Sequence, residues 1–237
     1  MLVVCWFSAG VSSAVACKIA GQVDRIIYTH IDDAHPDTLR FVQDCQRWFG
    51  QPVEILQSPL RSVEIACRQV RYVNGPRGAP CTNLLKRRVR KQWEMDNWHL
   101  APFTYIWGFD VSEGRRSLRI CEAMPGIVHK FPLVERGISK PQAHGILRKA
   151  GIRRPMMYDL GYQNNNCVGC VKGGAAYWNQ IRQDFPEVFE ARARMEREIG
   201  GTSLKGRIFL DSLDPNAGRG KPPIVEDCGI FCEINEE

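Results

Sequence analysis

Short apolar runs alternate with helix-like segments along the first half of the chain. The runs are rich in β-branched and aromatic residues and read as buried strands, whereas the segments between them carry apolar residues three or four positions apart. Strands that alternate with helices of about 10 to 15 residues are typical of parallel βαβ units. The pattern therefore predicts an α/β fold, a doubly wound, mainly parallel sheet with helices on both faces. The predicted strands are residues 2–7, 25–31, 52–56 and 103–110, and the predicted helices are 11–20, 36–50 and 58–70.

From about residue 125 the alternation gives way to helices and loops. A short helix is predicted to begin at Ser139 or at Lys140, and two further helices are separated by Pro186, because proline ends a helix. The tail after them is rich in proline and glycine. We therefore expect an α/β domain over residues 1–125 and a helical, cysteine-rich segment over 126–237 that packs on it.

The composition is that of a globular chain with a sizeable core. The 237 residues are 44% hydrophobic and carry a net charge of +6. No stretch approaches the roughly 18 apolar residues that span a bilayer, and the apolar N-terminus reads as a first strand and not as a signal peptide. We expect a cytoplasmic protein with no membrane contact. Five of the six residues 86–91 are Lys or Arg, which indicates either a solvated helix face or a phosphate-binding surface.

Ten cysteines require an explanation in a chain of this kind. A reducing cytosol favours metal binding, catalysis or burial over disulfides. One group lies in apolar segments and is expected in the core: Cys5, Cys17, Cys45, Cys67 and Cys121. Cys121 is expected in a buried strand. The other group lies beside Pro, Gly, Asn or Asp in loop-like contexts: Cys81, Cys167, Cys170, Cys228 and Cys232.

Ligands of doubly wound sheets bind beyond the carboxyl ends of the strands. The segment FSAGVSS, residues 7–13, follows the first predicted strand and precedes a helix. Small residues there leave backbone N–H groups free to approach an anion, and the helix N-terminus adds partial positive charge. The segment is neither a Walker loop nor a GxGxxG fingerprint, and a tight strand–helix turn explains it equally well.

Several motifs, taken in order, resemble one family. The segment FSAGVSSAV resembles the modified phosphate loop, commonly SGGxDS, of the adenine-nucleotide α-hydrolase-like (PP-loop) superfamily, in its phosphoadenosine phosphosulfate (PAPS) reductase branch. The resemblance spans roughly residues 2–190. The further motifs that carry it are YTHIDDAHPDTLRFV (28–42), CTNLLKRR (81–88), GFDVSEGRRS (108–117), PLVERGISK (132–140) and GIRRPMMYDLGYQNNNCVGC (151–170).

The resemblance implies a nucleotide site in the α/β domain. Asp32 or Asp33 would lie near the adenosine moiety. Val11 and Ser12 stand where ATP-cleaving members carry Lys-Asp, which argues against ATP cleavage. The residues implied in nucleotide binding are Ser8, Ala9, Gly10, Ser12, Ser13, Asp32, Asp33, Arg115 and Arg116.

The Cys167-x-x-Cys170 motif allows a redox pair, a structural zinc site, an iron–sulfur cluster or a pair of buried, inert cysteines. The resemblance to cluster-bearing sulfonucleotide reductases favours a [4Fe–4S] cluster, with zinc as the alternative. Those relatives carry an adjacent Cys-Cys pair where this chain has Cys81 followed by Thr82. The implied metal ligands are Cys81, Cys167, Cys170 and Cys232, with Cys228 as an alternative ligand.

The resemblance also implies the chemistry. Cys228 would act as a thiolate nucleophile on the sulfur of an adenylyl-sulfate-type nucleotide, and a thioredoxin-like thiol donor would then release sulfite. An alternative is an iron–sulfur sulfurtransferase that thiolates tRNA or DNA after adenylation, motivated by the basic run at 86–91. A second alternative is a non-catalytic module that senses nucleotide or redox state.

Overall fold

The computed structural model of the protein describes residues 1–76, 78–204 and 206–221. The predicted nucleophile Cys228 and the predicted ligand Cys232 lie outside the described residues. Within the described part of the chain, no helix is both long enough and apolar enough to cross a membrane.

A five-stranded, all-parallel sheet forms the centre of the fold, as the hydrophobic pattern predicts. Its order is β3-β2-β1-β4-β5, so the chain winds from β1 first to one side and then to the other. Trp6 of β1 pairs with Ile27 of β2, and Cys5 pairs with Ile106 of β4. The strands are β1 (Leu2–Trp6), β2 (Arg25–His30), β3 (Val53–Gln57), β4 (Phe103–Ile106) and β5 (Val128–Lys130).

Helices fill the connections, and most begin or end where the sequence predicts. The second helix follows Pro36 and stops before Gly50, and the last two are separated at Phe185–Pro186. The α-helices are α1 (Val11–Ile19), α2 (Asp37–Phe49), α3 (Val63–Val70), α4 (Arg88–Asp96), α5 (Gly114–Ala123), α6 (Pro132–Glu135), α7 (Lys140–Lys149), α8 (Met156–Asp159), α9 (Ala175–Asp184) and α10 (Pro186–Ile199).

Helices cover both faces of the sheet. Successive strand residues point to opposite sides, so each strand has side chains to bury on both faces. Cys5 faces α1, and Trp6 faces the other way, with its ring edge-on to Trp93 of α4 at a centroid distance of 5.7 Å. An apolar core lies on the α1 side, where Phe7 packs against Phe41 of α2. This arrangement confirms the doubly wound architecture.

The chain divides into two compact units whose segments interleave. The first comprises Met1–Thr29, Pro36–Leu56 and Lys91–Asp159, and the second comprises His30–His35, Gln57–Arg90 and the described residues from Leu160 onward. Residues on both sides of position 125 therefore contribute to the first unit.

Three local predictions are wrong. Helix α3 begins after Ser62, whose hydroxyl accepts the N–H of Ile65, and not at Ser58. Cys121 is exposed on α5 and is not buried in a strand. Cys5 and Cys17 are buried as expected, but they are joined by a disulfide, which the assumption of reduced thiols did not anticipate.

A buried carboxylate organises the segment that follows α10. Glu196 is 0% exposed, and its two oxygens accept the backbone N–H groups of Ser203 at 2.6 Å and of Leu210 at 2.8 Å. Burial raises the pKa of Glu196, whereas the hydrogen bonds that its oxygens accept from the N–H groups lower this pKa. One side chain of α10 thus satisfies two backbone donors of the irregular segment that follows it.

Replacing this carboxylate should destabilise the second unit. The Glu196→Ala variant leaves two buried N–H groups without their acceptor, at a cost of about 1–3 kcal/mol for each. Urea unfolding measures the loss. The matched control is Glu190→Ala on the same helix, where the side chain is largely exposed and the change should stay within about 0.5 kcal/mol. An equal loss in both variants would contradict the assignment.

Candidate functional site

The loop between β1 and α1 directs its backbone N–H groups at one hydroxyl oxygen. The N–H groups of Ser8 and Gly10 each lie 3.2 Å from Oγ of Ser13, and the Ser8 hydroxyl lies 2.9 Å from it. Ala9 has a φ of 57°, in the left-handed region that residues other than glycine rarely adopt. N–H groups that converge at the start of a helix are the arrangement that binds phosphate oxygens in anion-binding loops. In this loop Ser13 Oγ is the acceptor at the point of convergence, and the Ser13 hydroxyl donates to the Gly10 carbonyl at 2.9 Å, so Ser13 fixes the shape of the predicted phosphate loop.

The loop lies at the switch point of the sheet. Since β2 and β4 flank β1 on opposite sides, the connections that leave β1 and β4 diverge at the carboxyl ends of these two strands. Gly108, just after β4, approaches the first turn of α1 so closely that a Cβ there would lie 2.3 Å from Cα of Ser13. The absence of a side chain at Gly108 therefore allows the two strand exits to meet.

Tyr158 contacts the same helix start from α8. The N–H of Val11 donates to its hydroxyl oxygen at 3.3 Å, and the ring of His144 packs edge-on against the Tyr158 ring at 4.8 Å. Burial lowers the pKa of His144 to about 4, assisted by the nearby charges of Arg154 and Lys140. His144 is therefore a neutral packing partner near neutral pH.

The two predicted arginines of the α5 region differ in their surroundings. Arg116 is half-buried, with Nη1 2.7 Å from Oε1 of Glu113 and its guanidinium 4.7 Å from the centroid of the Phe109 ring. Arg115 is exposed. Of the two, Arg115 is the side chain that extends into solvent.

The adjacent acids Asp32 and Asp33, in the second unit, have different environments. Asp32 is half-exposed, and its carboxylate accepts from Nε of Arg61 at 2.9 Å and from the amide of Gln57 at 2.6 Å. The hydrogen bond from Arg61 is the main cause that lowers the pKa of Asp32. Asp33 is nearly buried, and its carboxylate accepts the N–H of Val63, the first residue of α3, at 2.6 Å.

The loop of Cys167 to Cys170, called here the dicysteine loop, is held by Tyr177. The N–H of Cys170 donates to the Tyr177 hydroxyl at 2.8 Å, and that hydroxyl donates to the carbonyl of Cys167 at 3.1 Å. Cys81 belongs to an apolar cluster of the second unit against which Cys167 also packs. Three of the predicted metal ligands thus lie in one unit.

The thiolates of these cysteines are suitable ligands for an iron–sulfur cluster or for zinc. Among the described residues no group of three Cys, His, Asp or Glu side chains is arranged to hold a metal ion. The remaining candidate ligands, Cys228 and Cys232, lie outside those residues. A complete ligand set is therefore not assembled by the described part of the chain.

The basic run at 86–91 does not form one continuous exposed face. It continues from a π-helical turn, Thr82–Arg87, into α4. Arg88 and Lys91 are exposed, whereas Arg90 is buried and Lys86 and Arg87 are half-buried. The solvated-face interpretation applies to two of the five cations.

Several residues that shape these loops were not selected from the sequence. Gly108 and Tyr158 lie within quoted motifs, but nothing local to them indicates a contact with α1. Tyr177 follows the second cysteine by seven positions, and Arg192 sits in the middle of an ordinary amphipathic helix. Their roles depend on contacts between segments that are distant along the chain.

Comparison with protein families found no family model that matches the chain. Comparison with curated proteins found no significant match. The assignment to the PAPS reductase family therefore stays a prediction that depends on the motifs and their order.

A side chain at Gly108 should disturb the switch point. The Gly108→Ala variant places Cβ against the backbone of Ser13, so we expect a loss of about 1–3 kcal/mol in the free energy of unfolding. The control is Gly145→Ala in α7, where a Cβ meets nothing within 4 Å and stability should be kept or improved. Thermal unfolding of both variants measures the difference. Wild-type stability in Gly108→Ala would show that the contact is not tight.

Proposed function

We propose that this protein is a cytoplasmic enzyme of sulfur chemistry, similar to PAPS reductases, that acts on an adenylyl-sulfate-type nucleotide. The observation that carries the proposal is the convergence of the Ser8 and Gly10 N–H groups at the start of α1, at the switch point of the sheet. The ordered motifs support the choice of nucleotide class. The loop would hold the phosphate through backbone groups of Ala9 and Ser12, and Ser13 would fix the shape of the loop.

The proposed reaction has two steps. The thiolate of Cys228 attacks the sulfur of the activated sulfate, the bond from sulfur to the phosphate oxygen breaks, and a nucleoside phosphate leaves. A thioredoxin-like dithiol then attacks the sulfur of the cysteine, releases sulfite and ends as a disulfide after its second thiol restores Cys228. Two thiols thereby supply the two electrons that reduce sulfate to sulfite. Arg115 is the proposed contact for the charge of the departing phosphate.

We further propose that Cys167 and Cys170 of the dicysteine loop, with Cys81, hold a [4Fe–4S] cluster, with zinc as the alternative. Cys81 is buried in a helical segment at the start of the π-helical turn, and not in a loop as its sequence context predicts. Cys81, Cys167 and Cys170 supply thiolates from two segments of one unit, and Cys232 or Cys228 completes the set. When bound, such a centre would join these cysteines through bonds to their thiolates.

Sulfite release tests the proposal. Anaerobically prepared full-length protein with thioredoxin should release sulfite from PAPS or from adenylyl sulfate without the 3′-phosphate. In Ser13→Ala the KM should rise about 10-fold, which corresponds to roughly 1.4 kcal/mol, because the Ser8 and Gly10 N–H groups lose the oxygen that orients them. The control is Ser212→Ala, an exposed serine of the second unit, which should leave KM unchanged.

Other outcomes would contradict the proposal in distinct ways. Absence of sulfite from both nucleotides refutes the reductase. Salt-sensitive binding to tRNA or DNA, together with that absence, would favour sulfur transfer to nucleic acid. Nucleotide binding without any turnover would favour a sensing module. Iron and acid-labile sulfide content separates a cluster from zinc in each case.

A further inference from the structure

The dicysteine loop packs against α10 without a gap. Gly169, between the two cysteines, has a φ of 70°, and a Cβ there would lie 2.6 Å from Cγ1 of Val188 and 3.5 Å from Cγ of Arg192. The loop therefore needs glycine both for its backbone conformation and for its distance from the helix. Its position is set by what α10 presents to it.

Arg192 is the charged residue that α10 presents. The residue is 4% exposed. Its Nε donates to the carbonyl of Gly169 at 3.3 Å, and its Nη2 donates to the carboxylate of Asp33. A buried charge is tolerated only when it is paired and hydrogen-bonded. Asp33 supplies compensating charge together with Glu64, whose Oε2 lies 3.6 Å from Nη1 of Arg192. Burial raises the pKa of the neighbouring Cys67 thiol to about 12, so this thiol stays neutral.

Asp33 also holds the dicysteine loop through its backbone. Its carbonyl accepts the N–H of Val168 at 2.8 Å, and its carboxylate accepts the N–H of Val63 at the start of α3. One residue thus connects the loop that follows β2, the dicysteine loop, α3 and α10. Asp32, its neighbour in the chain, keeps a half-exposed carboxylate.

We propose that the Asp33–Arg192 ion pair is a positioning element that holds the dicysteine loop and the strand-end loop His30–His35 as one rigid piece. Asp33 then acts by fixing the two cysteines relative to Asp32, and not by contacting a nucleotide. The inference rests on the proposed function only in taking Cys167 and Cys170 of the dicysteine loop as metal ligands.

Thiol alkylation tests the pair without a nucleotide. Full-length protein, purified anaerobically, is treated with iodoacetamide, and the modification of each cysteine is followed by peptide mass spectrometry. The variants are Arg192→Met, which leaves Asp33 buried without its partner, and Arg192→Lys, which keeps the charge. The matched control is Arg194→Met, two positions along the same helix, where the arginine is largely exposed.

Two other cysteines calibrate the rates. Cys121 is exposed and reports reagent activity, and Cys45 is buried in the first unit and reports global unfolding. In Arg192→Met, modification of the buried Cys170 should accelerate by about 10-fold or more over wild type, whereas Cys45 should not change, because opening is local. Arg192→Lys should recover part of the protection, and Arg194→Met should resemble wild type.

The results also separate this inference from the proposed function. Equal acceleration at Cys170 and Cys45 would reduce the pair to a general stabilising contact and overturn the inference, as would unchanged protection of Cys170. Selective acceleration at Cys170 supports it even if no sulfite is released from any nucleotide. Sulfite release by the wild type with no effect of Arg192→Met on Cys170 would leave the function standing and remove the positioning role.

Discussion

The fold of the first unit depends on the position of β1 between two parallel neighbouring strands. Its backbone pairs with β2 on one side and β4 on the other, so the strand has no free edge. Parallel neighbours require crossover connections, which places helices on both faces and leaves one crevice where the connections diverge. The exits of β1 and β4 share that crevice, and the approach of Gly108 to Ser13 follows from this crowding. The candidate phosphate loop is thus located by topology before any side chain contributes.

Hydrophobic periodicity was sufficient where elements are buried and long. It identified β1, β2, β4, α1 and α2, because their apolar spacing differs clearly between strand and helix. It failed around Cys121, where a short apolar run fits either period: on α5, Ile120 is buried and Leu118 exposed. It also misplaced the start of α3, because Ser58 before Pro59 and Ser62 both fit a cap, and Ser62 is the residue whose hydroxyl accepts the N–H of Ile65. The Asp33 carboxylate, which accepts the N–H of Val63 from 30 positions earlier, adds a contact that leaves no local signal.

The candidate site shows the same division between local and distant information. The small residues from Ser8 to Ser13 announce a loop that an anion can approach, because their spacing and the following helix are visible in the sequence. Likewise, Cys167 and Cys170 are recognisable from their spacing. The hydroxyls of Tyr158 and Tyr177, which contact these loops, come from other elements. Sequence therefore identifies the groups that carry chemistry better than the groups that hold them in place.

The Asp33–Arg192 ion pair is another contact that holds such a loop in place, and burying its two charges costs free energy. Replacement of a buried ion pair by apolar residues is often neutral or stabilising, so stability alone is a weak reason to keep one. An apolar side chain at position 192, however, could not bond a carboxylate and the Gly169 carbonyl at once, whereas the planar guanidinium has five donors in fixed directions. The pair therefore fixes the orientation of the dicysteine loop as well as stabilising it. A loop that must present two cysteines in a defined orientation gains from that property, and a loop that only closes a turn does not.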